Sequence, residues 1–414
     1  MSESVSGCPR AAAQAAAARA IGTAHVETSP GPLETMSSCA GACITPGLYG
    51  RPKRPGKSGR VFAPTANATR PVGTAGKDRP RVDRMCCAVI ITRTPLRISF
   101  AGGGSDFPAV YRRTSGAVIT TAIDKYMYIT VNRKFDGKIR ASYSITEMVD
   151  RVDELKHELI REALRVTGIA GGIEITSISD IPSRGTGLGS SSTYTVGLLH
   201  ALHAFAGRHA GARRLAEEAC DIELDRLRKP IGKQDQYIAA YGGLQFIKFE
   251  TDGVFLEPLL PGGEFRRDLE DHLLLLYTGL TRSADSILAE QQRNYRNGDA
   301  AFDGAVRLRD LAIELRAAIL ERRLGAFGEI LDAGWRIKRG LAPGISSPRI
   351  DEWYSRARGA GAIGGKLVGA GGGGFLLLFA APRDHARIRE TLPELRPVPI
   401  HLEPFGSRII YVEE

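Results

Sequence analysis

The stretch Pro182-Ser183-Arg184-Gly185-Thr186-Gly187-Leu188-Gly189-Ser190-Ser191-Ser192-Thr193 constrains this chain more than any other, because glycines give way to hydroxyls where an apolar-periodic segment begins. Residues 173–178 before it alternate like a strand, and Thr195, Val196, Leu199, Leu202 and Phe205 after it recur at helical spacing. The first turn of a helix leaves its N–H groups unpaired and carries the positive end of the helix dipole. Strand, glycine loop and helix together therefore predict an anion cradle, with Gly185, Gly187 and Gly189 permitting close backbone approach. Two better-known phosphate loops are excluded. Gly185-Thr186-Gly187-Leu188-Gly189 closes one residue too early for the dinucleotide fingerprint, and no lysine precedes the serines as a P-loop requires. The decoy from Gly50 to Gly56-Lys57-Ser58 has one spacer too many and follows no strand.

The 414 residues suffice for two or three domains. The longest apolar runs, 273–277 and 375–381, are strand-sized, far short of the ~18 residues of a membrane span, so no membrane partner is expected. The net charge of +10 raises the question of nucleic acid, but residues 1–84 carry +7 of it and leave the body at +3. The body is nearly neutral, so no specific nucleic-acid partner is expected. Cysteines at 8, 39, 43, 86, 87 and 220 form no C-x-x-C pair, which argues against a zinc site or a disulfide framework and fits a reducing cytoplasm. Residues 1–84, with an alanine patch at 11–18 and scattered Gly, Pro and Ser, read as a disordered basic extension; translation starting at Met85 would leave them out.

Beyond that point the pattern becomes globular. Strands are expected at 88–91, 96–100, 117–123, 126–133 and 138–143, helices at 151–166 and 212–226, and a short helix opened by Lys229-Pro230-Ile231-Gly232-Lys233-Gln234-Asp235-Gln236. A Gly/Pro/Glu-rich break at 251–266 marks a domain boundary, giving domains over 85–258 and 259–414. Further on, 273–277 is a strand, 283–296, 302–339 and 350–362 are helical, and Gly369-Ala370-Gly371-Gly372-Gly373-Gly374 precedes a buried strand. Such a glycine run permits close approach to a ligand or to a neighbouring loop. The mixed order of sheet and helix points to an α+β fold.

Three segments together resemble the GHMP small-molecule kinases. They are Thr94-Pro95-Leu96-Arg97 with Asp106 nine residues on, Pro182 through Gly187-Leu188-Gly189-Ser190-Ser191, and Lys366-Leu367-Val368-Gly369 through Gly374. The texture of 95–106, of Ala122-Ile123-Asp124-Lys125-Tyr126 and of Gly232-Lys233-Gln234-Asp235-Gln236-Tyr237 is similar to the heptose-phosphate kinases within that superfamily. Two departures stand out: Ser192 replaces an alanine common after the serine pair, and Ser105 stands where threonine is frequent.

The resemblance, which covers 88–414, implies a two-domain α+β fold, with an N-terminal domain like ribosomal protein S5 domain 2, a ferredoxin-like C-terminal domain and an active site between them. It implies phosphoryl transfer from ATP, with Mg2+, to a sugar phosphate: the anomeric hydroxyl of a heptose 7-phosphate, on the way to nucleotide-activated heptose. A fucose- or galactose-like acceptor and a non-catalytic ligand sensor are the alternatives; a homodimer is the one self-association left open. By the same resemblance Asp235 is the base and Arg97 stabilises the transferring group, while Pro182, Gly185, Gly187, Leu188, Gly189, Ser190, Ser191 and Ser192 hold the nucleotide. Asp106, Gly103, Gly104, Lys125, Gly372 and Gly373 take the acceptor, and Ser191 and Glu223 hold the metal. Lys233 helps keep the neighbouring carboxylate ionised, meets phosphate or sits in solvent. Lys125, Arg140, Arg282 and Lys366 are the cations available for the acceptor's own phosphate, and His200 and His203 form no ligand pair.

Overall fold

The computed structural model describes residues 89–182, 185–281 and 284–413. The expectations for residues 1–84 and Met85, and those resting on Ser183, Arg184 and Arg282, lie outside the described residues.

The first strand, β1 (Val89–Ala101), runs through Pro95, where two shorter strands were expected, and pairs antiparallel with β2 (Gly116–Arg133). A shift of register between Pro95 and Leu96 admits the proline, which has no N–H to give the ladder. The break expected near Asp124 is also absent. Asp124 and Lys125 are the residues of β2 left over at that shift, and Asp124 donates its N–H to His401 O at 2.9 Å and accepts from His401 N at 2.9 Å, so a distant segment takes up the pairing that β1 leaves.

A four-residue helix α1 (Pro108–Tyr111) joins β1 to β2. After β2 come β3 (Ile139–Ser142), β4 (Thr146–Val149), α2 (Glu158–Thr167), β5 (Ile173–Ser179), α3 (Ser190–Phe205) and α4 (Ala212–Cys220). The helix expected over 212–226 continues past α4 as a π-helical stretch, Asp221–Arg226. Then follow α5 (Gln234–Tyr241), β6 (Leu244–Phe249) and β7 (Val254–Pro258), the last inside the break expected at 251–266. Helix α3 lies on β1 and β2, and Gly197 makes that contact possible: Thr92 Oγ1 donates to Gly197 O at 3.0 Å, and a Cβ would fall 2.7 Å from Thr94 Oγ1.

The second half begins with α6 (Gly263–His272) and β8 (Leu273–Tyr277). Next come α7 (Ala284–Asn297), α8 (Asp299–Leu320), α9 (Leu324–Lys338) and α10 (Pro348–Gly359), then β9 (Ala362–Leu367), β10 (Phe375–Ala380), α11 (His385–Thr391) and β11 (Arg396–Pro397). The helix expected over 302–339 is broken at Arg322, whose φ is +56°. The four strands lie antiparallel in the order β11-β8-β10-β9, that is fourth, first, third, second along the chain, which is the ferredoxin-like arrangement. The last strand, β12 (Arg408–Val412), returns to the first sheet beside β1, giving β12-β1-β2-β5-β3-β4 with β6 and β7 on the other half of β2. The fold is α+β.

Leu96, Ile98 and Phe100 of β1 meet Leu275, Leu377 and Phe379 of the second sheet in one buried cluster. Phe327 joins them, its ring centroid 5.0 Å from Phe100 and 5.2 Å from Phe379. Burying such rings contributes about 2–3 kcal/mol each. This seam fixes the polar end of β1 against both halves.

Candidate active site

Arg97 lies on β1 with 5% of its surface exposed, between the two halves of the core. Its guanidinium makes a two-pronged ion pair with Asp235 in the first turn of α5, Nε to Oδ1 at 2.7 Å and Nη2 to Oδ2 at 2.8 Å. Nη1 donates to Gly187 O at 2.6 Å, and the Arg97 N–H donates to Leu188 O at 3.0 Å. One side chain thus fixes a half-buried carboxylate and the glycine loop at once, with the planar fork that only arginine supplies.

Asp106 faces the same cleft. It is 1% exposed, with Oδ1 accepting from Gly104 N at 3.0 Å and Oδ2 from Gln234 N at 3.3 Å and Gln234 Nε2 at 3.1 Å. Burial first, and the nearby charge of Asp235 after the pull of the Gly104 N–H, hold its carboxyl above the usual range. Gly232 leaves the room for it: a Cβ there would sit 1.9 Å from Asp106 Oδ2. Gly103 and Gly104 line the cleft beside Asp106, as do Ser99 and Gln291.

In the loop, Gly185, Gly187 and Gly189 have φ of +70°, +76° and +76°, and α3 starts at Ser190 with no side chain capping it. Its first N–H groups are therefore left for a ligand. Behind them Glu223 is fully buried in the π-helical stretch and accepts four hydrogen bonds: from Ser191 Oγ at 3.1 Å, Ser192 Oγ at 2.7 Å, Thr195 Oγ1 at 3.1 Å and Gln236 Nε2 at 2.5 Å. Burial pushes its carboxyl up, and these donors pull it back. The third serine is thus part of the structure, holding Glu223 as tightly as its neighbour does. Ser191 alone of the three serines is exposed. No cluster of three His, Cys, Asp or Glu able to hold a metal occurs among the described residues. Glu223 spends its oxygens on these four donors, which leaves the exposed Ser191 hydroxyl as the protein oxygen able to meet Mg2+, an ion that takes few protein ligands and completes its shell with phosphates and water.

Two sequence patterns match the chain: "GHMP kinases N terminal domain" over residues 153–243 and "GHMP kinases C terminal" over 315–395. The D-glycero-alpha-D-manno-heptose 7-phosphate kinase of Campylobacter jejuni is 31% identical over 317 residues, which span 73% of this chain and 93% of that protein. The chain is a GHMP kinase. The crystal structure of a D-glycero-D-manno-heptose 1-phosphate kinase from Bacteroides thetaiotaomicron matches 78% of the kinase and 100% of its own chain, with a TM-score of 0.66 at 25% identity. The L-fucokinase/L-fucose-1-P guanylyltransferase of Bacteroides fragilis is 28% identical over 363 residues, 78% of this chain but only 38% of that longer protein.

The kinase does not gather every residue singled out from its sequence. Gly372 donates its N–H to Ile345 O at 2.9 Å, and a Cβ on Gly373 would meet Leu280 O at 2.5 Å, so both pack on protein; Gly369 and Ala370 are the members of that run that line the cleft. Gly369 lies against Gly187, where a Cβ on either would strike the other's loop at 2.3 Å. Lys125 pairs with Asp124 at 3.0 Å, and Arg140 with Glu174 at 3.1 Å, neither on the cleft. The Lys233 ammonium lies 5.4 Å from the centre of the Tyr111 ring. Pro182 and Leu188 lie in the loop, Leu188 fully buried. His200 bonds Ser407 Oγ at 2.9 Å and His203 bonds Glu218 at 2.5 Å, apart from the site.

The sequence reading missed Lys338, at the end of α9, which lines the cleft with 6% of its surface exposed. Its ammonium donates to Gly369 O. Burial first, then the Arg97 charge, push it down to about 8, against the opposite pull of Asp106 and Asp235. Between about 8 and 10.5 the unfolded chain holds a proton on Lys338 that the folded chain has released, so stability rises with pH across that window and is lowest beneath it. Lys338→Met is expected to flatten part of that rise, leaving the share due to Lys366, and to stabilise the protein at neutral pH by up to about 3 kcal/mol. Melting curves from neutral pH to the upper end of the window check this; an unchanged or lower melting temperature at neutral pH would contradict it.

Proposed function

We propose that this sugar kinase transfers the γ-phosphoryl group of ATP to the anomeric hydroxyl of a heptose 7-phosphate, giving the 1,7-bisphosphate and ADP. The observation that carries the reading is the Arg97–Asp235 pair clamped to Gly187 O, with the Asp106 carboxylate in the same cleft. In-line transfer needs an aligned hydroxyl, a base and fixed positive charge. The acceptor oxygen bonds to phosphorus as the bond to the ADP oxygen breaks, and the hydroxyl proton passes to an Asp235 oxygen. Arg97 keeps its charge beside the transferring group, and the α3 N-terminus and loop amides hold the nucleotide's phosphates. Mg2+ would neutralise phosphate charge, held through Ser191 with Glu223 steering that hydroxyl. Asp106, already engaged by backbone donors, orients sugar hydroxyls with its remaining lone pairs.

The two heptose-phosphate relatives are named for acceptors phosphorylated at different positions, and a fucokinase is also similar, so the acceptor is the point to test. ADP release measured over a panel of sugars is expected to favour heptose 7-phosphate over fucose and galactose by about a hundredfold or more in kcat/KM, with phosphorus NMR locating the new phosphate on the anomeric carbon. Faster turnover of fucose or galactose would replace this reading with a free-sugar kinase. No helix among the described residues is long and apolar enough to cross a membrane.

A further inference from the structure

A phosphorylated acceptor brings a second anion, and this inference rests on that reading of the substrate. The chain keeps two buried lysines without acidic partners: Lys338 is 6% exposed and Lys366, on β9, is 5% exposed. Among the described residues neither forms an ion pair with a carboxylate. Lys338 Nζ donates to Gly369 O alone, and Lys366 Nζ donates to Ser99 O at 2.8 Å and Phe100 O at 3.1 Å. Both line a small cavity behind Gly103, walled by Phe100, Leu308 and Leu311, and that cavity shares Gly103 and Lys338 with the main cleft. Their charges work against each other, and Lys366 is driven well below the ordinary lysine range by burial first and then by Lys338. Two buried lysines with no carboxylate between them can both keep a proton only when an opposite charge joins them. Arg97 is saturated by Asp235 and Gly187, and Lys125 and Arg140 already have carboxylates, so among the described residues Lys338, with Lys366 behind it in the side cavity, is the cation left over at the cleft.

We infer that Lys338, backed by Lys366, receives the acceptor's own phosphate, so that the acceptor lies across Asp106 with its reacting hydroxyl at Asp235 and its existing phosphate at Lys338. The arrangement makes Lys338 a specificity residue: a phosphate monoester restores the missing negative charge, and a neutral sugar does not.

The test separates this pocket from the identity of the sugar. With the nucleotide site saturated by a non-hydrolysable ATP analogue, calorimetry of inorganic phosphate is expected to show binding that Lys338→Met weakens by about tenfold or more and Lys338→Arg largely restores. In kinetics, the preference of the enzyme for heptose 7-phosphate over unphosphorylated heptose is expected to fall by about tenfold or more in Lys338→Met. If the analogue abolishes phosphate binding, the anion at Lys338 belongs to the nucleotide and the inference is overturned, as it is if Lys338→Met binds phosphate like the parent. If phosphate binding depends on Lys338 but heptose 7-phosphate is not turned over, the pocket stands and the acceptor assignment falls.

Discussion

Asp235→Asn is expected to lower kcat by about three orders of magnitude while leaving ATP affinity within about threefold, the size of effect a positioned general base contributes. The side chain keeps its volume, so α5 and the cleft wall keep their shape. Two things change. The amide cannot take the acceptor proton, and its NH2 must face an arginine nitrogen that now donates at 2.7 or 2.8 Å, because a neutral amide offers one acceptor atom where the carboxylate offers two. In the proposed mechanism nucleotide binding rests on the loop and the α3 N-terminus, so it survives. Steady-state ADP release together with calorimetry of ATP distinguishes the two effects; turnover equal to the parent's would remove Asp235 from the mechanism.

The second large effect concerns Glu223. Glu223→Ala strands the buried Ser192 and Gln236 donors, while Thr195 keeps Ser191 O at 3.1 Å, and leaves a void beneath α3, a combination costing about 3–5 kcal/mol and several degrees of melting temperature. Glu223→Gln behaves differently. The Gln236 Oε1 atom is buried without a partner, so the Gln236 amide can turn over and accept from the new NH2, while the serine and threonine hydroxyls rotate to suit. The fold therefore persists with the carboxylate charge gone. The Mg2+ concentration for half-maximal activity is expected to rise by about tenfold in Glu223→Gln, the size found when a group orienting a metal ligand is changed. An unchanged Mg2+ requirement with an unchanged melting temperature would reduce Glu223 to an anchor between α3 and α5.

Much of this site was legible because its chemistry is local. The loop, Asp235 at a helix start and Asp106 at the end of a glycine turn each carry their signal within a few residues. Lys338 carries none of that kind, yet it occupies the face of α9 set by Phe327, Leu331 and Trp335, a position where an apolar residue belongs. A lysine on the buried stripe was the available clue, obscured by the acidic and basic residues around it. Gly372 and Gly373 illustrate the converse: a glycine run states that something comes close, and only the fold reveals that it is Ile345 and Leu280. Pro95 and Asp124 look like interruptions that divide β1 and β2 into four strands; a bulge and the distant His401 absorb them. The π-helical turn that directs Glu223 inward has no composition cue, since its register is imposed by packing.

Backbone meets backbone where Gly187 touches Gly369 and where Gly374 backs onto Thr186, with no side chain in between to slide or yield. An alanine at Gly187, Gly369 or Gly374 would therefore act as a wedge, and the seam between the two glycine loops admits nothing bulkier than hydrogen.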